Sequence, residues 1–201
     1  MDKSLNLGST LIFLMISLPI IGIIFWPYSP YVQDFELLYL PPNADHWFGA
    51  DDTGRDLVAR VSIAIGISFS VGVLSVLIGI LIGLPLGCYS AFYGGTVDLL
   101  VQRVVDILMA FPLLIMGLLI IAAVGSGFTP LVLAIGIAQS PRFARMARAC
   151  TLSVKENEFI EAAFSFGGSK IYIIYKHVLR NITGPLIIQS VLFISEAIMV
   201  E

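Results

Sequence analysis

Charge is what this sequence has least of. Only 12% of its 201 residues are Asp, Glu, Lys or Arg, where a soluble domain carries about a quarter. So few charges cannot cover a water-facing surface. With 58% hydrophobic residues and a mean hydropathy of +0.95, most of the surface must meet lipid. Cysteine is also scarce: Cys88 and Cys150 exclude a disulfide framework and read as small buried hydrophobes. Three catalytic signatures are missing. There is no Gly-x4-Gly-Lys-Ser/Thr phosphate loop, no His-Glu-x-x-His and no spaced metal-ligand set. The sequence therefore offers no catalytic residue, no metal site and no cofactor of its own, and no nucleic-acid partner is expected. A signal-peptide cleavage site is lacking too. The apolar run Leu11 to Phe25 is followed by Trp26-Pro27-Tyr28 rather than small residues, which predicts an uncleaved first span.

What is present is a series of apolar runs. A helix needs about 20 apolar residues to cross the hydrocarbon core, and five stretches qualify: 7–27, 62–90, 102–124, 128–149 and 182–201. The expected fold is all-α, a polytopic transmembrane helical bundle with a cytoplasmic helical loop. Residues 28–60 carry Asp34, Glu36, Asp45, Asp51, Asp52 and Asp56 against Arg55 and Arg60. Residues 139–181 carry Arg142, Arg145, Arg148, Lys155, Lys170, Lys176 and Arg180 against Glu156, Glu158 and Glu161. Positive segments stay cytoplasmic, so 139–181 is expected inside and 28–60 outside. The N-terminus is then inside. On this topology the Asn181-Ile-Thr183 sequon faces the cytoplasm and is a chance match. The organisation expected is an N-terminal span and inner tail over 1–30, an external loop over 28–61, and a transmembrane domain over 62–201 that includes the loop 151–181. The last run ends at Glu201 without a polar flank, so a C-terminally truncated chain with a sixth span missing is expected.

Inside the membrane, helices associate through small residues. Gly79, Gly83 and Gly87 form a small-xxx-small ridge on the second run. Pro85 is expected to interrupt that helix, and Pro19, Pro112 and Pro185 to bend others. Ionisable groups within spans are costly. Asp106 lies one turn from Arg103, an expected interfacial ion pair. Glu196, deeper in the fifth run, marks a water-lined path or a buried pairing partner, or else an exposed helix end.

Two polar segments carry the functional signal. In the loop, Ser153-Val-Lys-Glu156 matches a capping box. Ile160, Ala163, Phe164 and Gly167 fall on one helical stripe. Gly167-Gly168 can end that helix in the left-handed region. Ser169 can then cap a second helix with an Ile171, Ile174, Tyr175, Val178 stripe. Such a helix-turn-helix is either a cap on the bundle or a knob for a cytosolic partner. In the outer segment, Gly49 and Gly54 permit tight turns, while Asp51, Asp52 and Asp56 can pair Arg55 or accept backbone donors. A structural cap is the favoured reading there, over metal capture by His46, Asp51 and Asp52.

Glu161-Ala162-Ala163-x3-Gly167, followed by His177-Val178-Leu179, resembles the EAA loop of binding-protein-dependent ABC importer permeases. Arg180 stands where that pattern has proline. His46-Trp-Phe-Gly49-Ala-Asp51-Asp52-Thr-Gly54-Arg55-Asp56 resembles the pre-span motif of the dipeptide, oligopeptide and nickel group, in its second, C-type membrane subunit. Ala64-Ile65-Gly66 departs from that group's Gly-x-Arg. The resemblance implies half of a translocation path for a small solute, di- or oligopeptide first and nickel or another metal chelate second. It implies ATPase coupling through Glu161, Ala162, Ala163, Gly167 and Gly168, and places Glu196 as a candidate pathway residue. It implies as partners a second related permease subunit, two cytosolic ATPase subunits that bind the ATP, and an external solute-binding protein. The location implied is a bacterial or archaeal inner membrane. The alternatives are a truncated, non-transporting scaffold subunit and an ATP-independent channel or secondary transporter.

Overall fold

The computed structural model describes residues 17, 19, 20, 22 and 25–201, so most of the expected first span, 7–27, lies outside the described residues. Two compact units divide the chain, Met1–Ser70 and Val71–Glu201. In the first, a 3-10 turn at Phe35–Leu37 opens on Asp34, whose carboxylate accepts the Glu36 N–H at 3.0 Å. Helix α1, Leu57–Tyr93, begins in this unit and ends in the other. Its 37 residues have a mean hydropathy of 2.5 at their most apolar. At 1.5 Å per residue they extend about 55 Å, beyond a hydrocarbon core of about 30 Å. Pro85 sits inside α1 without ending it, contrary to the interruption expected. Breaking a helix in an apolar setting strands more backbone polar groups than keeping it intact around one missing N–H.

The run expected to cross as one span at 102–124 is instead a broken pair, α2 (Gly95–Met109) and α3 (Leu113–Val124), bent by 91°. Pro112 is the cause: it precedes α3 with ψ 137°, and its ring pushes Phe111 out of helical conformation. Helix α4, Phe128–Lys155, runs past its expected end at 149. The short helix α5, Glu158–Ser165, follows. Then α6 (Lys170–Ile173), a π turn (Ile174–Val178) and α7 (Leu179–Val200) continue one another. Among the described residues, α1 and the 170–200 helix are long and apolar enough to cross a membrane, and the α2–α3 pair makes a third if taken as one span. Five had been expected, the first of which lies mostly outside the described residues. Helix α4 falls short because Arg142, Arg145 and Arg148 occupy its middle. No strand forms among the described residues, and the bundle is all-α as expected.

The glycine ridge works as anticipated. A Cβ on Gly83 would stand 2.2 Å from the Ser140 carbonyl oxygen, and one on Gly87 2.2 Å from that of Ala144. A Cβ on Gly79 would meet the Phe143 ring at 3.0 Å. From the other side, Gly136 of α4 faces Ile78 at 2.7 Å. Backbone therefore packs on backbone along α1 and α4. The Ser75 hydroxyl donates to the Val132 carbonyl across this seam at 3.2 Å. Phe143 and Phe193 meet edge to face at 4.9 Å and tie α7 to α4.

Candidate functional site: the α5 loop and its supports

Helix α5 is held from below and free above. Ile160 is fully buried in a cluster with Cys88, Phe92, Ala147, Ile173, Val178 and Ile182. Phe164 stacks on Phe92 at 5.8 Å. Glu161 and Ala162 point away from this cluster and are exposed, and Phe166 is 92% exposed. The C-terminus closes as a complete Schellman motif. Gly168 N–H donates to Ala163 O at 3.0 Å, Gly167 N–H donates to Phe164 O at 2.8 Å, and Gly167 has φ +80°. Nothing lies within 4 Å of a Cβ on Gly167, so conformation alone demands glycine there. At Gly168 a Cβ would press on Ala163 O at 2.8 Å. Ser169 then caps α6, its hydroxyl accepting the Tyr172 N–H at 3.3 Å. An open groove of about 720 Å³ lies between α5 and α6, with Phe159, Phe166, Tyr172 and Lys176 on its walls.

Two local expectations fail. The capping box at Ser153–Glu156 does not form, because α4 continues through Ser153 to Lys155. The loop's first helix begins instead after Asn157, whose amide donates to Ser153 O at 3.3 Å and Val154 O at 3.0 Å, closing the end of α4. The second stripe is also rotated. Ile173, Val178 and Ile182 are buried, while Ile171 is 65% and Tyr175 78% exposed. The π turn adds a residue between Ile173 and Val178, so a 3.6-residue period misassigns the face.

The arginines of α4 form a ladder that charge counting missed. Arg148 grips Asp98 through two bonds of 2.7 and 2.6 Å. Arg145 pairs with Asp106, and Arg142 donates to both oxygens of Glu196 at 2.7 and 2.6 Å. Asp106 is thus paired across helices, not with Arg103 one turn away. Glu196 is a half-buried pairing partner rather than an exposed helix end. Three arginines counted as loop charges are helix-borne and matched by carboxylates on α2 and α7.

In the first unit, the His46–Asp56 motif folds as a knot of turns. Gly49 (φ +74°) and Gly54 (φ +73°) would drive a Cβ to 2.1 Å from Leu40 O and 1.7 Å from Asp34 O. Asp51 accepts from Thr53 N–H at 2.8 Å, the Thr53 hydroxyl at 2.7 Å and Arg55 N–H at 3.0 Å. It also pairs with Arg55 Nε at 2.9 Å and with Arg60. Desolvation raises its pKa, but the Arg55 and Thr53 donors and Arg60 outweigh that and hold Asp51 well below the usual carboxylate range. Asp56 is buried. It caps α1 by accepting the Ala59 N–H at 2.8 Å, takes the Trp26 indole N–H at 2.8 Å and meets His46 Nδ1 at 2.7 Å. Asp52 is exposed. Trp26, thirty residues from Asp56, was invisible to motif reading. So the motif brings Asp51, Arg55 and Asp56 into turn-holding roles and leaves Asp52 outside.

A long apolar bundle with a Schellman-capped loop helix presented at its end is the arrangement found. Residues 75–199 match the family described as binding-protein-dependent transport system inner membrane component. The chain belongs to this family. It is 38% identical over 189 residues, 92% of its length and 63% of the relative's, to the probable D,D-dipeptide transport system permease protein DdpC of Escherichia coli (strain K12). It is 34% identical over 175 residues to the glutathione transport system permease protein GsiD of Pectobacterium atrosepticum, covering 84% of this chain and 58% of that one. It is 37% identical over 158 residues to the dipeptide transport system permease protein DppC of Alkalihalophilus pseudofirmus, covering 79% and 52%. The chain thus spans roughly half to two thirds of the relatives' lengths. These are transport components of a membrane, not enzymes.

Proposed function

We propose that this permease-family chain forms half of the translocation path of an ATP-driven importer of short peptides. The observation that carries the reading is the construction of α5. Ile160 roots it in the bundle core and Phe164, itself partly exposed, stacks on Phe92, while Glu161, Ala162 and Phe166 stand free beside an open groove. A rigidly rooted helix with a free face can transmit a push, whereas a flexible linker would absorb it. On this reading the 151–181 segment lies in the cytosol with the N-terminus, and docks on one of two ATP-hydrolysing subunits. A second related permease subunit completes the path, and an external binding protein delivers the solute to the side of residues 28–61. The relatives' names specify a D,D-dipeptide, glutathione and a dipeptide, which favours a peptide over a nickel or other metal chelate. The Arg142–Glu196 pair is the candidate pathway element, since both side chains stay about a third exposed.

The test is uptake of labelled dipeptide by membrane vesicles holding the complete importer. Glu161→Arg should lower both uptake and copurification of the ATPase while leaving the membrane level of the chain unchanged. Full uptake with the ATPase still bound would refute the reading.

A further inference from the structure

Six of the seven basic residues from Arg142 onward fall into two groups; the seventh, Lys155, donates to the Phe92 carbonyl at 3.0 Å. Arg142, Arg145 and Arg148 are each matched by a carboxylate. Lys170, Lys176 and Arg180 are not: among the described residues none of them forms a salt bridge, and no acidic residue occurs between Glu161 and Glu196. The unmatched group runs from α6 through the π turn to the start of α7, a stretch on which Ile171 and Tyr175 face outward. Those two side chains, with Ile174, Leu84, Tyr89 and Leu179, line an almost wholly apolar groove of about 300 Å³ against the last turns of α1. At its edge, Tyr89 stacks on Tyr93 at 4.1 Å, and the Lys170 ammonium sits 4.6 Å over the Tyr93 ring. An apolar slot at the end of a span, edged by tyrosines and the Lys170 ammonium, which no carboxylate matches, has the chemistry of a headgroup-level site. The ATPase-facing groove between α5 and α6 lies on different walls, with Tyr172 and Lys176 instead of Ile171 and Tyr175.

We infer that this slot binds an anionic phospholipid, one acyl chain along Ile171, Ile174 and Tyr175 and the phosphate beside Lys170, with Lys176 and Arg180 adding positive potential. The inference rests on membership in a membrane family and not on ATPase docking. A lipid held here would brace the junction through which α6 and α7 are joined.

The experiment uses the full chain in detergent with Tyr175→Trp as reporter. Its natural tryptophans are Trp26 and Trp47, which give the background in the unsubstituted chain. Phosphatidylglycerol and phosphatidylcholine with the same brominated acyl chains are titrated in. Phosphatidylglycerol should quench the reporter at about fivefold lower mole fraction or better, about fivefold being the effect of one basic residue near an anionic surface. Adding Lys170→Gln should remove most of that preference, and Lys170→Arg should keep it. Equal quenching by both lipids would overturn the inference, as would quenching by neither, which would assign the face to a protein. So would an undiminished preference in Lys170→Gln.

Discussion

Replacing Gly83 by alanine should separate α1 from α4. The added methyl would lie 2.2 Å from the Ser140 carbonyl oxygen, 2.7 Å from Phe143 Cβ and 2.9 Å from the Ala144 nitrogen. Two of these are backbone atoms, so no rotamer relieves the clash. The helices must part by about 1 Å, and a gap of that size forfeits a quarter to a half of each dispersion contact along the seam. Overpacking of this kind costs about 1–3 kcal/mol, and the backbone contacts put Gly83→Ala at about 2–3. Gly87→Ala, 2.2 Å from the Ala144 carbonyl oxygen, should match it. Gly79→Ala meets only the Phe143 ring at 3.0 and 3.1 Å and the Gly136 oxygen at 3.4 Å, so it should cost about 1 kcal/mol or less. Unfolding of the detergent-solubilised chain by sodium dodecyl sulfate, followed by circular dichroism, reads all three. Equal effects at Gly79 and Gly83, or none at Gly83, would refute the backbone-on-backbone seam.

Gly167→Ala should destabilise the α5 terminus by about 1–2 kcal/mol through its positive φ alone, and Gly167→Asn by less. Hydrogen exchange of the Gly168 amide, bonded to Ala163 O, reports this directly. Arg148→Gln should cost about 1.5–3 kcal/mol by stripping charged hydrogen bonds from Asp98, and Asp98→Asn in the same chain should recover part of it. The detergent unfolding assay would show that recovery. Asp51 has a folded pKa below its unfolded value, so its contribution is present above about pH 3.9 and is lost as pH falls below that. Acid titration followed by tryptophan fluorescence should show the turns around Asp51 opening in that direction, and Asp51→Asn should blunt the pH dependence.

The helical class and the glycine seam were legible because both depend on local periodicity and side-chain size. The α5 terminus was legible for the same reason, since Gly167-Gly168 and Ser169 act within one turn. What could not be read depends on neighbours distant in sequence. The pairing of Asp106 with Arg145, across 39 residues, cannot be told from an i,i+3 pair without knowing which helices touch. Asp56 and His46 were placed in one motif, yet the third partner, Trp26, comes from thirty residues before Asp56. The outward turn of Ile171 and Tyr175 was not legible because a π turn has no compositional signature, and the stripe alone left open whether it met the bundle or a partner. The bend at Pro112 was anticipated, but not that it reaches 91°.

Cross-linking tests the central claim most directly. With Cys88 and Cys150 replaced by alanine, Ala162→Cys in the complete importer should form an adduct with the ATP-hydrolysing subunit, and its yield should change when nucleotide is added. Labelling of that cysteine by a membrane-impermeant thiol reagent from the outer side, or no adduct in any nucleotide state, would contradict the account.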